Sequence, residues 1–389
     1  MSDTIRLGNV IPLINAINSG RAVVYVGAGA SMPVGLPDWR TFLSECVSRA
    51  EAEENGKKAG ANPASPHDGS KWVFIRERLD QGDYLICAEM LQMEIGQAIE
   101  QYVWDIFGEN NNPSPIHREI ARIPFSMAIT TNYDRLLESA YPGVGNIYTW
   151  MDPLAFFSAI KKRRMAIVKI HGDVGNSPSL VLTRTHYRDL MHVSQAFNRS
   201  LATLLALRTF LFVGSSLRDH DLLRLLDESK LTYGDECGPH YAILFEDEVS
   251  DSYLRLLEKS YGINVILCGE GDGRSNWRTD SVCSVLRSIS GKASAVKDNS
   301  KYSDVDDPDF TLVDSTSRIL STLMQKTGSD RGIVAFSSSR EIHSLNINVE
   351  VFANERLEIR RTDREFGHCK PFEYFFHEGN RYDFKTMLG

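Results

Sequence analysis

Six short apolar runs recur along the chain, at residues 22–26, 126–130, 165–170, 209–213, 240–245 and 263–267. Apolar residues dominate both alternating faces of these runs, the pattern of strands buried on both sides of a parallel sheet. The segments between them carry apolar residues at helical spacing. That alternation predicts an α/β fold with a six-stranded, mostly parallel, Rossmann-like doubly wound sheet.

Residues 5–19 predict a short amphipathic helix stopped by Gly20. A second helix is expected over 41–53, with Phe42, Leu43, Cys46, Val47 and Ala50 on one face, then a polar loop over 55–70. Residues 71–107 are again helical, with a turn at Gly82-Asp83, so 41–120 reads as a helical insertion between the first two strands. Its clusters Tyr84, Leu85, Cys87, Met90, Leu91 and Trp104, Ile106, Phe107 read as helix core. A short strand is expected at 180–182 and helix over 184–207, and Lys161-Lys162-Arg163-Arg164 reads as a solvated helix end.

Residues 291–311 are polar and charged, a linker by composition after a first domain over 1–290. The remainder, 312–389, predicts one helix at 312–327 and short strands at 332–337, 347–352, 357–361, 374–377 and 382–385. Turns fall at Asn354-Glu355 and 378–380. In this small β-rich module His343, His368 and His377 lack ligand-like spacing.

Composition narrows the function classes. A net charge of −8 over 389 residues argues against binding nucleic acid through a basic surface field. The six cysteines, at 46, 87, 237, 268, 283 and 369, form no CxxC pair, so neither a zinc ribbon nor a redox dithiol is expected. No run of about 18 apolar residues occurs, so no membrane span is expected and a cytoplasmic location fits.

Four polar signatures follow strands directly: Gly27-Ala28-Gly29-Ala30-Ser31, Thr131-Asn132-Tyr133-Asp134, His171-Gly172-Asp173 and Gly214-Ser215-Ser216-Leu217-Arg218-Asp219. In open α/β sheets the carboxyl ends of the strands form the ligand edge. The small residues of the first loop permit close backbone approach, and a helix beginning there would offer its N–H groups to a phosphate. Met32 stands where the dinucleotide fingerprint has its third glycine. The acidic residues Asp219, Asp221, Asp227 and Glu228 read as first-turn and solvated-face carboxylates rather than a metal cluster.

GAGAS followed by GLPDWR, then TTNYD, an HG pair and a GSS loop, in that order, resembles the SIR2-like (sirtuin) superfamily over roughly residues 10–290. The resemblance implies an NAD+ site built from Gly27, Ala28, Gly29, Ser31, Asp38, Arg40, Thr131, Asp134, Gly214 and Ser215. It further implies Asn132 and His171 as catalytic residues, the histidine taking a proton and the asparagine orienting the nucleophile.

A deacylating sirtuin carries two CxxC pairs between its HG and GTS loops, whereas residues 172–213 contain no cysteine, and no peptide-pairing VxFGE segment is found. Residues 180–184 with Tyr187 are instead similar to the SIR2-like branch of bacterial antiphage systems. That likeness implies an NAD+ glycohydrolase with water as acceptor, with no cofactor beyond NAD+ as substrate. It also implies gating by homo-oligomerisation, a phage-derived trigger or a partner such as a HerA-type ATPase. Two alternatives stay open: an NAD-dependent deacylase or ADP-ribosyltransferase, and a non-enzymatic NAD or ADP-ribose-binding subunit.

Overall fold

A computed structural model describes residues 10–59, 70–108, 112–162, 164–217, 219–234, 237–269 and 275–299. It also describes the strands at 331–337, 346–352, 357–362, 374–377 and 380–383. The chain divides into two compact units, Met1–Ser300 and Lys301–Gly389.

The first unit is built on a parallel sheet of β1 (Ala22–Val26), β2 (Met127–Thr130), β3 (Ile147–Thr149), β4 (Ile167–Lys169), β5 (Thr209–Val213), β6 (His240–Phe245) and β7 (Ile263–Cys268). Its order is β3-β4-β2-β1-β5-β6-β7. The sheet thus has seven strands, not six. The additional one, β3, has three residues and lies at the sheet edge with Ile147 exposed, too short and too wet to stand out as an apolar run.

Burial on both faces explains the uninterrupted apolar strands. Ala22, Val24 and Val26 join a core with Ala128, Ile167, Leu211 and Val213, covered by α1 (Ile11–Asn18), α6 (Pro115–Ala121) and α13 (Trp277–Asn299). Val23 and Tyr25 join Met127, Ile129, Val168, Phe210 and Phe212 on the other face. There α8 (Pro153–Lys162), α10 (Gln195–Leu207), α11 (His220–Tyr233) and α12 (Asp251–Tyr261) supply the cover.

The insertion is α2 (Trp39–Ala59), α3 (Ser70–Asp80), α4 (Tyr84–Ile95) and α5 (Ala98–Phe107), around a core of its own. The helix α6, expected to belong to it, instead packs on the sheet. Helix α2 runs through 55–59, expected as loop, while 60–69 lie outside the described residues. Cys87, Leu91 and Phe107 are buried as expected, but Trp104 is exposed.

Residues 180–182 form no strand, and the helix expected over 184–207 breaks into α9 (Arg184–His192) and α10. Helix α13 continues to Asn299, through the first part of the expected linker. The rest of that linker, the helix at 312–327, His343, His368, Cys369, Arg218 and residues 5–9 lie outside the described residues. So do the turns at 354–355 and 378–379 and the strand end at 384–385.

In the second unit β8 (Arg331–Ser337), β9 (Asn346–Phe352) and β10 (Leu357–Thr362) form one antiparallel sheet. A hairpin pairs β11 (Tyr374–His377) with β12 (Asn380–Asp383).

Candidate active site

The strand order reverses at β1, whose neighbours are β2 and β5, and the crevice at such a reversal is where α/β sheets bind ligands. Pairing of Val26 with Val213 brings the β1 and β5 loops together. The N–H of Gly27 donates to Val213 O at 3.0 Å and that of Gly29 to Gly214 O at 2.9 Å. Gly214 has φ +64°, and a Cβ there would lie 2.4 Å from Ala30 N. These glycines are therefore needed for packing loop against loop.

The helix that would offer free N–H groups to a phosphate does not begin in this loop. Two 3-10 turns, Ala28–Ala30 and Met32–Val34, replace it, and the N–H groups of Ala30 and Ser31 bond back to Gly27 O and Ala28 O. Pro33 and Gly35, at φ +89°, interrupt helix propagation. Helix α2 begins only at Trp39, where Asp38 Oδ1 caps the N–H of Thr41 at 2.8 Å.

Beside the β1 loop, Ser31 Oγ donates to Asp134 Oδ2 at 2.8 Å, and Asn132 Nδ2 donates to Ser31 Oγ at 3.1 Å and Gly27 O at 3.2 Å. Among the described contacts the amide oxygen of Asn132 takes no donor. Ser114 caps α6, donates to Ala30 O at 2.6 Å and lies 2.8 Å from His117 Nδ1. With the Ser114 proton committed to Ala30, His117 bears its own proton on Nδ1. Its buried Nε2 has no hydrogen-bond partner among the described residues. Burial drives the His117 pKa down to about 4 against an upward pull from Asp134.

His171 follows β4, buried, with its carbonyl accepting from Val181 N at 2.9 Å. The Tyr187 hydroxyl lies 3.0 Å from Nε2 and Asp219 Oδ2 3.6 Å from the same nitrogen. Burial lowers the His171 pKa, and Asp219 pulls it back upward. Thr130 pairs with Lys169 at the ends of β2 and β4, and Asn132 and His171 each lie two residues beyond that pair.

Residues 126–266 match the family model described as SIR2-like domain. Over those residues the chain carries a SIR2-like domain. Over 230 residues it is 27% identical to "NAD(+) hydrolase ThsA" of Cytobacillus dafuensis, covering 59% of this chain and 42% of that protein. The protein of the same name from Enterococcus faecium is 30% identical over 239 residues, 59% of this chain and 44% of its own length. "Defense-associated sirtuin 2" of Bacillus subtilis is 25% identical over 226 residues, 56% of this chain and 20% of that protein. The chain thus spans less than half the length of these relatives.

In the first unit the signatures of all four strand ends meet at one edge of the sheet. Asp38 and Arg40 are placed differently: Asp38 is a helix cap, and exposed Arg40 pairs with Asp80 at 3.0 Å. Among the described contacts neither touches Ser31, Asn132, Asp134 or His171. Thr131 is linked to the site through the buried Tyr25 hydroxyl, whose pKa is raised by burial and by Asp219 and eased back by Thr131.

Behind the site lies a network absent from the sequence reading. Lys169, fully buried, donates to Tyr133 O at 3.1 Å, Glu138 Oε1 at 3.0 Å and Asp173 Oδ2 at 2.7 Å. Arg135 meets Asp173 Oδ1 at 2.6 Å. Burial pushes the Asp173 carboxyl up, but Arg135 and Lys169 outweigh it and its pKa falls below the ordinary value. Tyr133 pins this loop to the insertion, donating to Val181 O at 2.7 Å and packing against Phe107 and Trp39.

Two helices of the insertion also reach the site. Glu89 of α4 accepts from Thr185 N at 2.9 Å and Oγ1 at 2.8 Å, at the start of α9, and Glu100 of α5 bonds Ser177 Oγ. Burial raises the Glu89 pKa, but the Thr185 bonds outweigh it and leave it lowered.

Acid should destabilise the first unit well above the carboxylate range. His117 and His240 are both pushed by burial from 6.5 down to about 4, so the unfolded chain binds more protons between those values. Their contribution is fully present above pH 6.5 and lost as pH falls toward 4. At pH 5 each histidine should cost about 2 kcal/mol relative to pH 7.5. Urea denaturation at the two pH values checks this; equal unfolding free energies would contradict it.

Proposed function

We propose that the chain is an NAD+ glycohydrolase of antiphage defence, releasing nicotinamide and ADP-ribose. The observation that carries this reading is the bonding of Asn132 to Gly27 O and to the Ser31–Asp134 pair at the sheet edge where His171 follows the adjacent strand. The names of the relatives, NAD(+) hydrolase and defense-associated sirtuin, support it.

In the step proposed, the bond from ribose C1′ to nicotinamide breaks and its electron pair passes to the ring nitrogen. Water adds its oxygen to the oxocarbenium-like C1′, as in glycoside hydrolysis. His171 Nε2 takes the water proton. The open amide oxygen of Asn132 accepts from the nucleophile or a ribose hydroxyl and orients it without adding charge. The phosphates lie along the β1 and β5 loops, Gly27 to Ser31 and Gly214-Ser215.

Incubating purified full-length protein with NAD+, alone and with the product of the neighbouring gene, tests the reading by chromatography of nicotinamide and ADP-ribose. Asn132→Ala should reduce release about 10²-fold with NAD+ binding largely kept. Loss of binding with turnover retained at saturation would contradict the role of Asn132; no product in either incubation would contradict the activity.

We further propose that assembly or a partner gates the enzyme in the cytoplasm, through a homo-oligomer, a HerA-type ATPase or a phage-derived trigger, and that it needs no zinc. Among the described residues no helix is long and apolar enough to cross a membrane. The separateness of the unit Lys301–Gly389 supports assigning it to assembly. Deleting residues 301–389 should leave the SIR2-like domain folded and reduce its assembly or its partner-dependent activation. Light scattering and the nicotinamide assay check this; unchanged mass with unchanged activation would refute it. One zinc per chain by elemental analysis would refute the absence of zinc.

A further inference from the structure

We infer that Asp134, acting through Ser31, is the positioning residue of Asn132 and sets which end of its side-chain amide faces the crevice. This rests on the reading of Asn132 as the residue that orients the nucleophile.

An asparagine amide accepts at one end and donates at the other, and the two ends are nearly equal in size. The polarity of its neighbours therefore decides which end faces inward. The inner neighbours of Asn132 are Gly27 O at 3.2 Å and Ser31 Oγ at 3.1 Å. The carbonyl only accepts. The hydroxyl can accept or donate, so the place of its proton decides.

That proton is committed elsewhere. Ser31 Oγ donates to Asp134 Oδ2 at 2.8 Å, and Asp134 Oδ1 accepts the N–H of Leu136 at 3.0 Å. Ser31 thus presents only a lone pair to Asn132. Both amide protons then turn inward, one to Gly27 O and one to Ser31 Oγ, which leaves the amide oxygen to the crevice. Reversed, the amide would set its oxygen against a carbonyl and a hydroxyl lone pair and lose both hydrogen bonds.

The main chain is fixed separately. The N–H of Asn132 donates to Thr130 Oγ1 at 3.0 Å, and that hydroxyl donates to Val26 O at 2.8 Å. Loss of the Ser31 link therefore acts on the amide and spares the backbone that carries it. Burial argues against a direct ligand contact: Ser31 is 2% and Asp134 4% exposed, so neither offers NAD+ an appreciable surface, whereas Asn132 is half-buried.

The test follows the Asn132 side-chain NH2 signals by NMR in the full-length chain, identified by their loss in Asn132→Ala. Ser31→Ala removes the link. Asp134→Asn keeps an acceptor for Leu136 N but turns an NH2 toward Ser31 Oγ, which frees the serine proton to face Asn132. In each variant the Asn132 NH2 protons should exchange with water about fivefold faster or more, as expected for one lost hydrogen bond.

In the nicotinamide assay kcat should fall roughly tenfold in each variant with KM within twofold. In an Asn132→Ala background the same substitutions should cost less than about twofold more, because the amide they position is gone. General loosening of the site would lower kcat alike in both backgrounds, and a direct contact with NAD+ would raise KM. Either of those results, or unchanged exchange in a folded variant, overturns the assignment. Each variant carries the test by itself if the other fails to fold. A parent chain that makes no nicotinamide overturns the NAD+ reading instead, and the exchange rates still decide the positioning.

Discussion

Replacing His171 by alanine should lower nicotinamide release by about 10²–10⁴-fold, the usual worth of a positioned general base. The substitution removes a proton acceptor that is almost wholly enclosed, and neither Tyr187 nor Asp219 can take its place. The phenol is a far weaker base, and one oxygen of the carboxylate is engaged at the start of α11. Folding should survive, because the main-chain carbonyl at this position still accepts from Val181 and the sheet register does not depend on the ring. Circular dichroism and NAD+ binding establish that control. A folded His171→Ala protein with activity within tenfold of the parent would remove His171 from the chemistry.

Much of this site was legible in the chain, and for a physical reason. Strands buried on both faces must be continuously apolar, so β1, β5 and β6 announce their positions, and the polar residues immediately after them then fall at the ligand edge. Asn132 and His171, after β2 and β4, fall at the same edge by that logic, while their catalytic roles came only from the family resemblance. The edge strand β3 could not, because three residues with one of them exposed resemble a loop. Residues whose role depends on a distant partner were equally hidden. Asp219 reads locally as a helix-start carboxylate, and it is one, yet its second oxygen faces a histidine 48 positions earlier only once β4 and β5 are folded. His117 carries a fainter sign, Ser114-Pro115 before it, which marks a helix start but says nothing of Ala30. The small residues of the first loop, Gly27 and Gly29 among them, read as allowing close approach, but the approach is of that loop to Gly214.

The buried lysine gives the largest expected effect on stability. Lys169→Met should destabilise the first unit by about 3–5 kcal/mol, the range for removing one partner of a buried ion pair. The methionine fills similar volume, so the loss is electrostatic. Glu138 and Asp173 would keep their charges in a buried setting, and Tyr133 O would lose a donor. Asp173 retains Arg135 and the N–H of Gly175, but Glu138 already has one buried oxygen without a hydrogen-bond partner among the described residues. Burial raises the Glu138 pKa even with Lys169 opposing, and the substitution removes that opposition. Its folded pKa would then stand still further above the unfolded value of about 4.5. A raised folded pKa means that the folded state is favoured while the group is protonated and penalised as pH rises through that pKa. The stability gap between Lys169→Met and the parent should therefore be widest at pH 7 and above and narrow as pH falls toward 4.5. Urea denaturation across that interval measures it. A loss below about 1 kcal/mol at pH 7, or a gap that widens in acid, would show that Lys169 does not carry the strand end beneath His171.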